Sequence, residues 1–462
     1  MEHLNFLKFW NNMRSLTGLL LFFIFLTGCT GEEKPIEVTA DDYHNTVDYF
    51  TDLMVHDIFS PPVASRIYAY SNMAAYEILT MGDTSLRSFG NAYSDFEAIP
   101  QPDSTKQINF RVAALIAHME IGKQLVFSEG KITQLQDSLY KQWSEQNETS
   151  FLDSKEYGMQ VVAHFKEWIQ KDNYKETRTM PKFSVYSEDP SRWQPTPPSY
   201  MDAIEPHWAS IRPFAIDSAS QFRPDPHPEF SLKEGSQFYK ELMEVYQVRM
   251  EMDKTGDTSE ELAIAQFWDC NPYVSTQRGH LMFATKKITP GGHWIGVCKI
   301  AAKAHDLDFE ESVYAYTATS IAIADGFISC WDEKFRSELI RPETLINQHI
   351  DENWKPVLQT PPFPEYPSGH SVVSGAASTV LTQIFGDNFS YKDDTETKYG
   401  LPVRSFTSFR QAAKEAAESR LYGGIHYRAA IDNGLTQGID LGNYVIRDLG
   451  IRQLQNRDLA QK

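Results

Sequence analysis

Residues 63–79, VASRIYAYSNMAAYEIL, set apolar side chains at intervals of three and four, with Arg66, Asn72 and Glu77 in the gaps. That period is the signature of an amphipathic α-helix. Pro61 and Pro62 stand just ahead of it, where a helix can begin because its first N–H groups have no intrahelical partner to lose. The same period returns over 109–126, 231–250, 263–268, 293–304, 310–328, 371–385, 409–422 and 434–448. Strand alternation and hairpin turn signals are scarce, and no internal repeat is visible. The fold class predicted is all-α, one or more helical bundles.

The pattern breaks at 186–230, which holds nine prolines, among them PTPP at 195–198 and FRPDPHP at 222–228. Such a segment is extended and irregular. Its Trp193, Trp208, Phe214 and Phe222 argue that it wraps a surface or borders a site rather than hanging free as a linker. With 462 residues the chain is long enough for a large core. The organisation expected is a leader (1–28), an acidic tether (29–42), an N-terminal helical region ending in the Pro-rich wrap (43–230), and a second helical bundle (231–462).

The leader has Lys8 and Arg14, then the short apolar run LLLFFIFL at 19–26. That run falls short of the roughly 20 residues needed to span a bilayer, so it reads as an export signal. Its ending, Leu-Thr-Gly-Cys, resembles a bacterial lipobox, which implies cleavage before Cys29, a lipid on its thiol, and a body tethered to an envelope membrane. Cys270, Cys298 and Cys330 remain, an odd number. No cysteine spacing suggests zinc, and a disulfide framework is not expected at this length, so these three read as buried apolar side chains.

The chain carries 43 Lys+Arg against 62 Asp+Glu, a formal charge of −19. That field repels nucleic acid, so any anion site has to be local. Three segments of the second half offer one. In EKFRSELIRPE, Lys334 and Arg341 are seven residues apart, close to two helical turns, so both cations are expected on one helix face with Pro342 stopping the helix. In YPSGHSVVSGAAS, Ser368 is a good N-cap, which places Gly369, His370 and Ser371 in a first turn whose free amides suit an anion. Ser374, Gly375, Ala376 and Ala377 then let a neighbouring helix lie close. In ESRLYGGIHYRAAIDNG, Gly423 and Gly424 should end a helix, leaving Arg420 in its last turn and His426 just beyond. Taken singly, each segment is commonplace.

Together, Lys-x6-Arg-Pro, Pro-Ser-Gly-His and Ser-Arg-x5-His resemble the three-part signature of the vanadium haloperoxidase and type 2 phosphatidic acid phosphatase superfamily, over roughly residues 255 to 450. The resemblance implies an all-α bundle and one tetrahedral oxyanion. Lys334, Arg341 and Arg420 would neutralise its equatorial oxygens, the Ser368 hydroxyl and Gly369 amide would add hydrogen bonds, His426 would bind the central atom, and His370 would be the acid/base. Those residue types suit the task, because fixed, charge-assisted donors hold a multiply charged oxyanion and a neutral imidazole can give it a lone pair. One position departs from the pattern: the aspartate usual four residues after the last histidine is Ala430 here. Asp432 or a backbone carbonyl is expected to orient the ring instead.

Trp331 and Phe363 match aromatic pocket positions of the haloperoxidase branch, and Tyr273, with the surroundings of His280 and His293, is a further candidate for the pocket. The whole chain, including FWDCNPY at 267–273, is similar to bacterial vanadium-dependent haloperoxidases, notably the iodoperoxidases of marine flavobacteria. This implies vanadate as cofactor and hydrogen peroxide and a halide as substrates, iodide being the easiest halide to oxidise. The alternatives are a soluble phosphatase of the same superfamily with His426 as nucleophile, and, from another class, a noncatalytic envelope lipoprotein that binds nutrients.

Overall fold

The computed structural model describes residues 34–449 except 92–95, 273, 279, 280 and 285. Cys29, Tyr273 and His280 therefore lie outside the described residues.

The centre of the molecule is built from helices buried on every side. Pro61–Leu79 (α2, after α1 at Ala40–His56) has no exposed face, so the solvent-facing stripe expected for Arg66, Asn72 and Glu77 does not exist. Each of the three has a buried partner instead: Arg66 Nε donates to Asp172 at 2.6 Å, Asn72 Nδ2 to Ser320 Oγ at 2.8 Å, and Glu77 accepts the Phe89 N–H at 3.1 Å. A buried polar group without such a partner would cost about 1–3 kcal/mol. Around α2 pack Phe110–Leu125 (α3) and the long helix Phe309–Ser337.

Helices α4 (Glu129–Gln146) and α5 (Glu148–Ile169) complete the N-terminal region. The second region contributes α6 (Gln237–Thr255), α7 (Glu260–Phe267), a small hairpin (β1 Ser275–Arg278, β2 Leu281–Ala284), α8 (Pro290–Ala304), α9 (Phe309–Ser337), α10 (Pro342–His349), α11 (Gly369–Phe385), a second hairpin (β3 Tyr391–Asp393, β4 Arg404–Phe406), α12 (Phe409–Tyr422) and α13 (Arg428–Leu449). One apolar core runs unbroken from Ile36 to Val445, so the two regions share their interior.

Residues 36–42 are folded, which corrects the expected tether. Ile36 and Val38 are buried, and Thr39 closes a capping box with Asp42 that starts α1. The small residues of α11 do what their size allows. A Cβ on Gly375 would stand 2.6 Å from the Leu435 carbonyl, and one on Gly438 of α13 would stand 2.0 Å from the Val372 carbonyl, so α11 and α13 touch backbone to backbone. Cys270, Cys298 and Cys330 are free and buried, as expected. No helix among the described residues is long and apolar enough to cross a membrane.

The Pro-rich segment is packed down along α9. The Phe214, Ala215 and Ile216 N–H groups converge on the buried Asp325 carboxylate at 2.6–3.0 Å. The Ile204 N–H donates to the Pro362 carbonyl at 3.0 Å, and Trp331 Nε1 to that of Ile204 at 3.3 Å.

Candidate active site

Helix α9 ends at Ser337, and Glu338 turns into the left-handed region at φ 50°. From there the chain is extended: Trp193 N–H donates to the Glu338 carbonyl at 2.6 Å, and Leu339 pairs with Arg192. The shared helix face expected for Lys334 and Arg341 is therefore absent. Lys334 comes from the end of α9, Arg341 from the strand-like stretch before α10, and Pro342 begins a helix instead of stopping one. The edge pairing with the Pro-rich segment overrides the local spacing.

The three cations nonetheless meet. Lys334 Nζ donates to the carbonyls of Pro364 (2.9 Å), Glu365 (2.9 Å) and Pro367 (2.5 Å). Arg341 donates to the carbonyls of Phe363 (3.0 Å) and Ile425 (2.8 Å), and from Nη1 to His426 Nε2 (3.2 Å). Arg420, in the last turn of α12, donates to the Trp268 carbonyl (2.6 Å) and to Ser419 Oγ (2.9 Å). All three are buried. Burial pulls Lys334 down to about 7 and the two guanidinium groups to about 10. Buried charge of one sign is costly without a counter-charge, so this cluster calls for an anion.

Ser368 caps α11 as the sequence predicts, its hydroxyl accepting the Ser371 N–H at 3.3 Å, with Gly369 and His370 in the first turn. Ala430, where the carboxylate of the usual pattern is missing, is buried and takes the Ser368 N–H on its carbonyl at 3.0 Å.

Neither Asp432 nor a backbone carbonyl orients His426. Asp432 is exposed and sits 3.9 Å from Arg428. Glu365 does the orienting: its Oε1 lies 2.8 Å from His426 Nδ1 and also accepts the Tyr427 N–H at 2.9 Å. Five residues ahead of His370 in TPPFPEYPSGH, it is the one acidic residue of an apolar, proline-rich stretch, and that isolation is the signal that marks it in the sequence. Because Arg341 can only donate, His426 Nε2 must carry the lone pair and Nδ1 the proton. Burial, then Arg341, Lys334 and Arg420, hold this ring well below the usual histidine range, so it is neutral. Burial pushes the Glu365 carboxyl up to about 8, against the pull of Arg341.

His370 is also held neutral, by burial first and Arg420 next. It is hydrogen-bonded to the Trp268 backbone, and its Nε2 has no partner. Arg341 Nη2 is likewise buried and unpartnered. Both belong to the group of buried cations and imidazoles, where an oxyanion would satisfy them. His370, His426, Gly369, Trp331, Phe363 and Cys270 line one narrow cavity of about 30 Å³. Trp331 and Phe363 form its aromatic wall with ring centroids 5.0 Å apart, and Lys334 Nζ sits 5.1 Å over Phe363. His293 is not on this cavity; it is buried against Asp393 and Glu396. A wider groove of about 720 Å³ beside Arg111 and Glu310 holds a self-satisfied ion pair and no orphaned buried side-chain atom. The chemistry therefore sits in the smaller cavity.

Residues 314–450 match the family model of the VCPO second helical-bundle domain. The chain is similar to the crystal structure of the first bacterial vanadium-dependent iodoperoxidase, with 59% identity and a TM-score of 0.88 over 92% of this chain and 100% of that one. A holo-type bacterial vanadium-dependent chloroperoxidase shares the fold at a TM-score of 0.66 and 18% identity, over 85% of this chain and 93% of that one. No curated protein matches. With a relative this similar over its whole length, the chain belongs to the vanadium-dependent haloperoxidases.

Proposed function

We propose that this chain is a haloperoxidase that holds vanadate in the cage of Lys334, Arg341, Arg420 and His426 and oxidises halide, iodide foremost, with hydrogen peroxide to hypohalous acid. The observation that carries the reading is the pairing of three buried cations with a neutral imidazole whose Nε2 lone pair accepts from one of them, Arg341. Those residues fit a tetrahedral oxyanion. The cations, with the Arg341 Nη2 orphan, would hold its oxygens, the Ser368 hydroxyl and Gly369 amide would add donors, and His426 Nε2 would bind its central atom.

Bound vanadate supplies a Lewis-acidic centre that activates hydrogen peroxide while remaining V(V). Glu365 fixes the His426 tautomer, as an outer carboxylate does for metal-bound histidine. His370, neutral with a free Nε2, takes the proton that peroxide gives up and returns it. Lys334, held by the Pro364, Glu365 and Pro367 carbonyls, would supply positive charge to the bound oxyanion. Trp331 and Phe363 exclude water and give a polarisable halide an apolar approach. The identity to a bacterial iodoperoxidase supports iodide as the first halide to try.

A phosphatase reading has one observation in its favour: the Glu365–His426 pair is what a nucleophilic histidine needs. The test is to load the protein with orthovanadate and follow triiodide formation from iodide and peroxide, beside p-nitrophenyl phosphate hydrolysis without vanadate. Vanadate-dependent triiodide formation is expected, and H426A should abolish it. Phosphatase turnover with no iodide oxidation would overturn the reading. We also infer from residues 1–29 that the chain is exported and lipidated at Cys29. The short apolar run ending in Leu-Thr-Gly-Cys supports this, and labelling with a fatty-acid analogue, lost in C29A, tests it.

A further inference from the structure

Behind the oxyanion cage lies a second knot of side chains that the proposed reaction does not use. Cys270 follows α7, His293 is in the first turn of α8, and Glu396 sits in the turn after β3. All three are buried, and their donor atoms lie within 4.8 Å of one another. Nδ1 of His293 is 2.9 Å from Glu396 Oε1 and 3.7 Å from Cys270 Sγ, and Sγ to Oε1 is 3.8 Å. Donors sharing a tetrahedral zinc ion stand about 3.3–3.6 Å apart. Shifts of a few tenths of an ångström would close the site.

The surroundings are those of a metal-binding histidine. The far nitrogen, Nε2, is held by Asp393 at 2.9 Å and by Thr395 Oγ1 at 3.1 Å, which leaves Nδ1 for the inner position. This carboxylate–histidine arrangement orients the ring and raises its basicity in zinc sites. The Trp268 indole stacks on the ring, centroids 4.5 Å apart at 27°. Among the described residues, the ion pairs of Asp393 and Glu396 are both to His293, with no lysine or arginine among them.

We propose that Cys270, His293 and Glu396 bind a zinc-class divalent cation, with Asp393 as the orienting acceptor on His293. Binding exchanges two protons for one ion: Cys–SH + His–H⁺ + M²⁺ → Cys–S⁻·M²⁺·His + 2 H⁺. Two aspartate and glutamate charges balanced by one imidazolium leave −1, and with a thiolate and M²⁺ in place of the two protons the sum is again −1. The exchange therefore adds no net buried charge, which is why this interior can accept either state. Mixed sulfur, imidazole and carboxylate donors suit zinc or cobalt over magnesium or calcium. Three protein donors leave one tetrahedral position open. Cys270 also lines the cavity it shares with His370 and His426.

The site borders the cavity of the vanadate cage through Cys270 and is tied to the cage through Trp268 as well. The Trp268 carbonyl accepts from Arg420, and its backbone also holds His370. The ion would thus stiffen the wall against which both groups rest.

The test is to produce the full chain in medium supplied with Co²⁺, desalt it, and read cobalt content with the near-ultraviolet thiolate-to-cobalt charge-transfer band. About one equivalent and a clear band are expected. C270A and E396Q should lose the band, while H426A, which breaks the vanadate site, should keep it. A wild-type protein with background cobalt, or with cobalt but no thiolate band, overturns the proposal and leaves a hydrogen-bonded imidazolium in its place. Should C270A and E396Q fail to fold, X-ray absorption at the cobalt edge of the wild type decides the matter. One sulfur among lighter donors is expected, and a shell of nitrogen and oxygen alone overturns the assignment.

Discussion

His426 and His293 are both buried, and each has both ring nitrogens in polar contact, yet one is neutral and the other positive. His426 faces Glu365 on one side and Arg341 on the other, with Lys334 and Arg420 close by, and is held neutral. His293 lies between Asp393 and Glu396, and these partners hold it well above the usual histidine range although burial works against them. Burial favours the neutral ring in both, so the sign of the neighbours decides. Around His426 the cations keep a lone pair free for an electrophile. Around His293 the carboxylates keep a positive charge in place, as a proton or as a metal ion.

The sharpest way to break this contrast is to remove a carboxylate from the second ring. D393N keeps the shape and deletes a charge from a pair that is fully buried. Stripping one partner from such a pair costs about 3–5 kcal/mol, so a large fall in unfolding free energy by denaturant titration is expected, with no change in the residues that touch the oxyanion. A loss under 1 kcal/mol would mean that His293 is not held by charge.

The matching change at the first ring is E365Q. Above its value of about 8 the Glu365 carboxylate backs the ring with negative charge, and at such a pH a glutamine still accepts a hydrogen bond from His426 Nδ1 but carries no charge. Outer-shell carboxylates of this kind are worth about 10–100-fold in metal affinity. Vanadate titration followed by triiodide formation should show a weakening in that range, with maximal activity at saturating vanadate less affected. An unchanged titration curve would remove Glu365 from the site.

A third measurement asks whether neutrality by burial is general in this molecule. Burial lowers His118 to about 3 and His44 to about 4. A ring depressed in the folded state leaves the unfolded chain binding more protons below the ordinary value, so its contribution is intact above pH 6.5 and is lost as pH falls towards the folded value. The slope is about 1.4 kcal/mol per pH unit for each ring. H118Q, which leaves Tyr43 a hydrogen-bond partner, should flatten the stability profile between pH 6.5 and 4 by about that amount. An unaltered profile would show that this ring titrates normally.

Much of the architecture was legible because helical periodicity survives wherever a helix has one wet face, as in 409–422. The period was equally visible in 63–79, but reading its gaps as a solvent face failed, since Arg66, Asn72 and Glu77 found buried partners far along the chain. The cage residues were legible as a resemblance, because their types and order are set by the oxyanion. Their delivery was not: Lys334 and Arg341 look like one helix face until the pairing of 338–340 with 191–193 pulls the chain straight. Glu365 and the Cys270–His293–Glu396 knot share a reason for going unread. Their partners lie 61 and 23 to 126 positions away, and no local spacing encodes such a meeting.

The smallest expected effect separates that long-range partner from the local one. Asp432 is six residues after His426, near enough in sequence to be taken for its orienting carboxylate, and a histidine that lacks its usual partner invites that substitution. The structure turns Asp432 outward, 3.9 Å from Arg428, whose guanidinium is already held by Glu244 and Glu418 at 2.8 and 2.6 Å. An exposed pair of that kind is worth about 0–1 kcal/mol. D432N should leave vanadate affinity and iodide oxidation unchanged and move stability by less than that. If D432N weakened vanadate binding as much as E365Q, the ring would answer to the helix it precedes, and the Pro-Glu-Tyr-Pro turn would be no more than its scaffold.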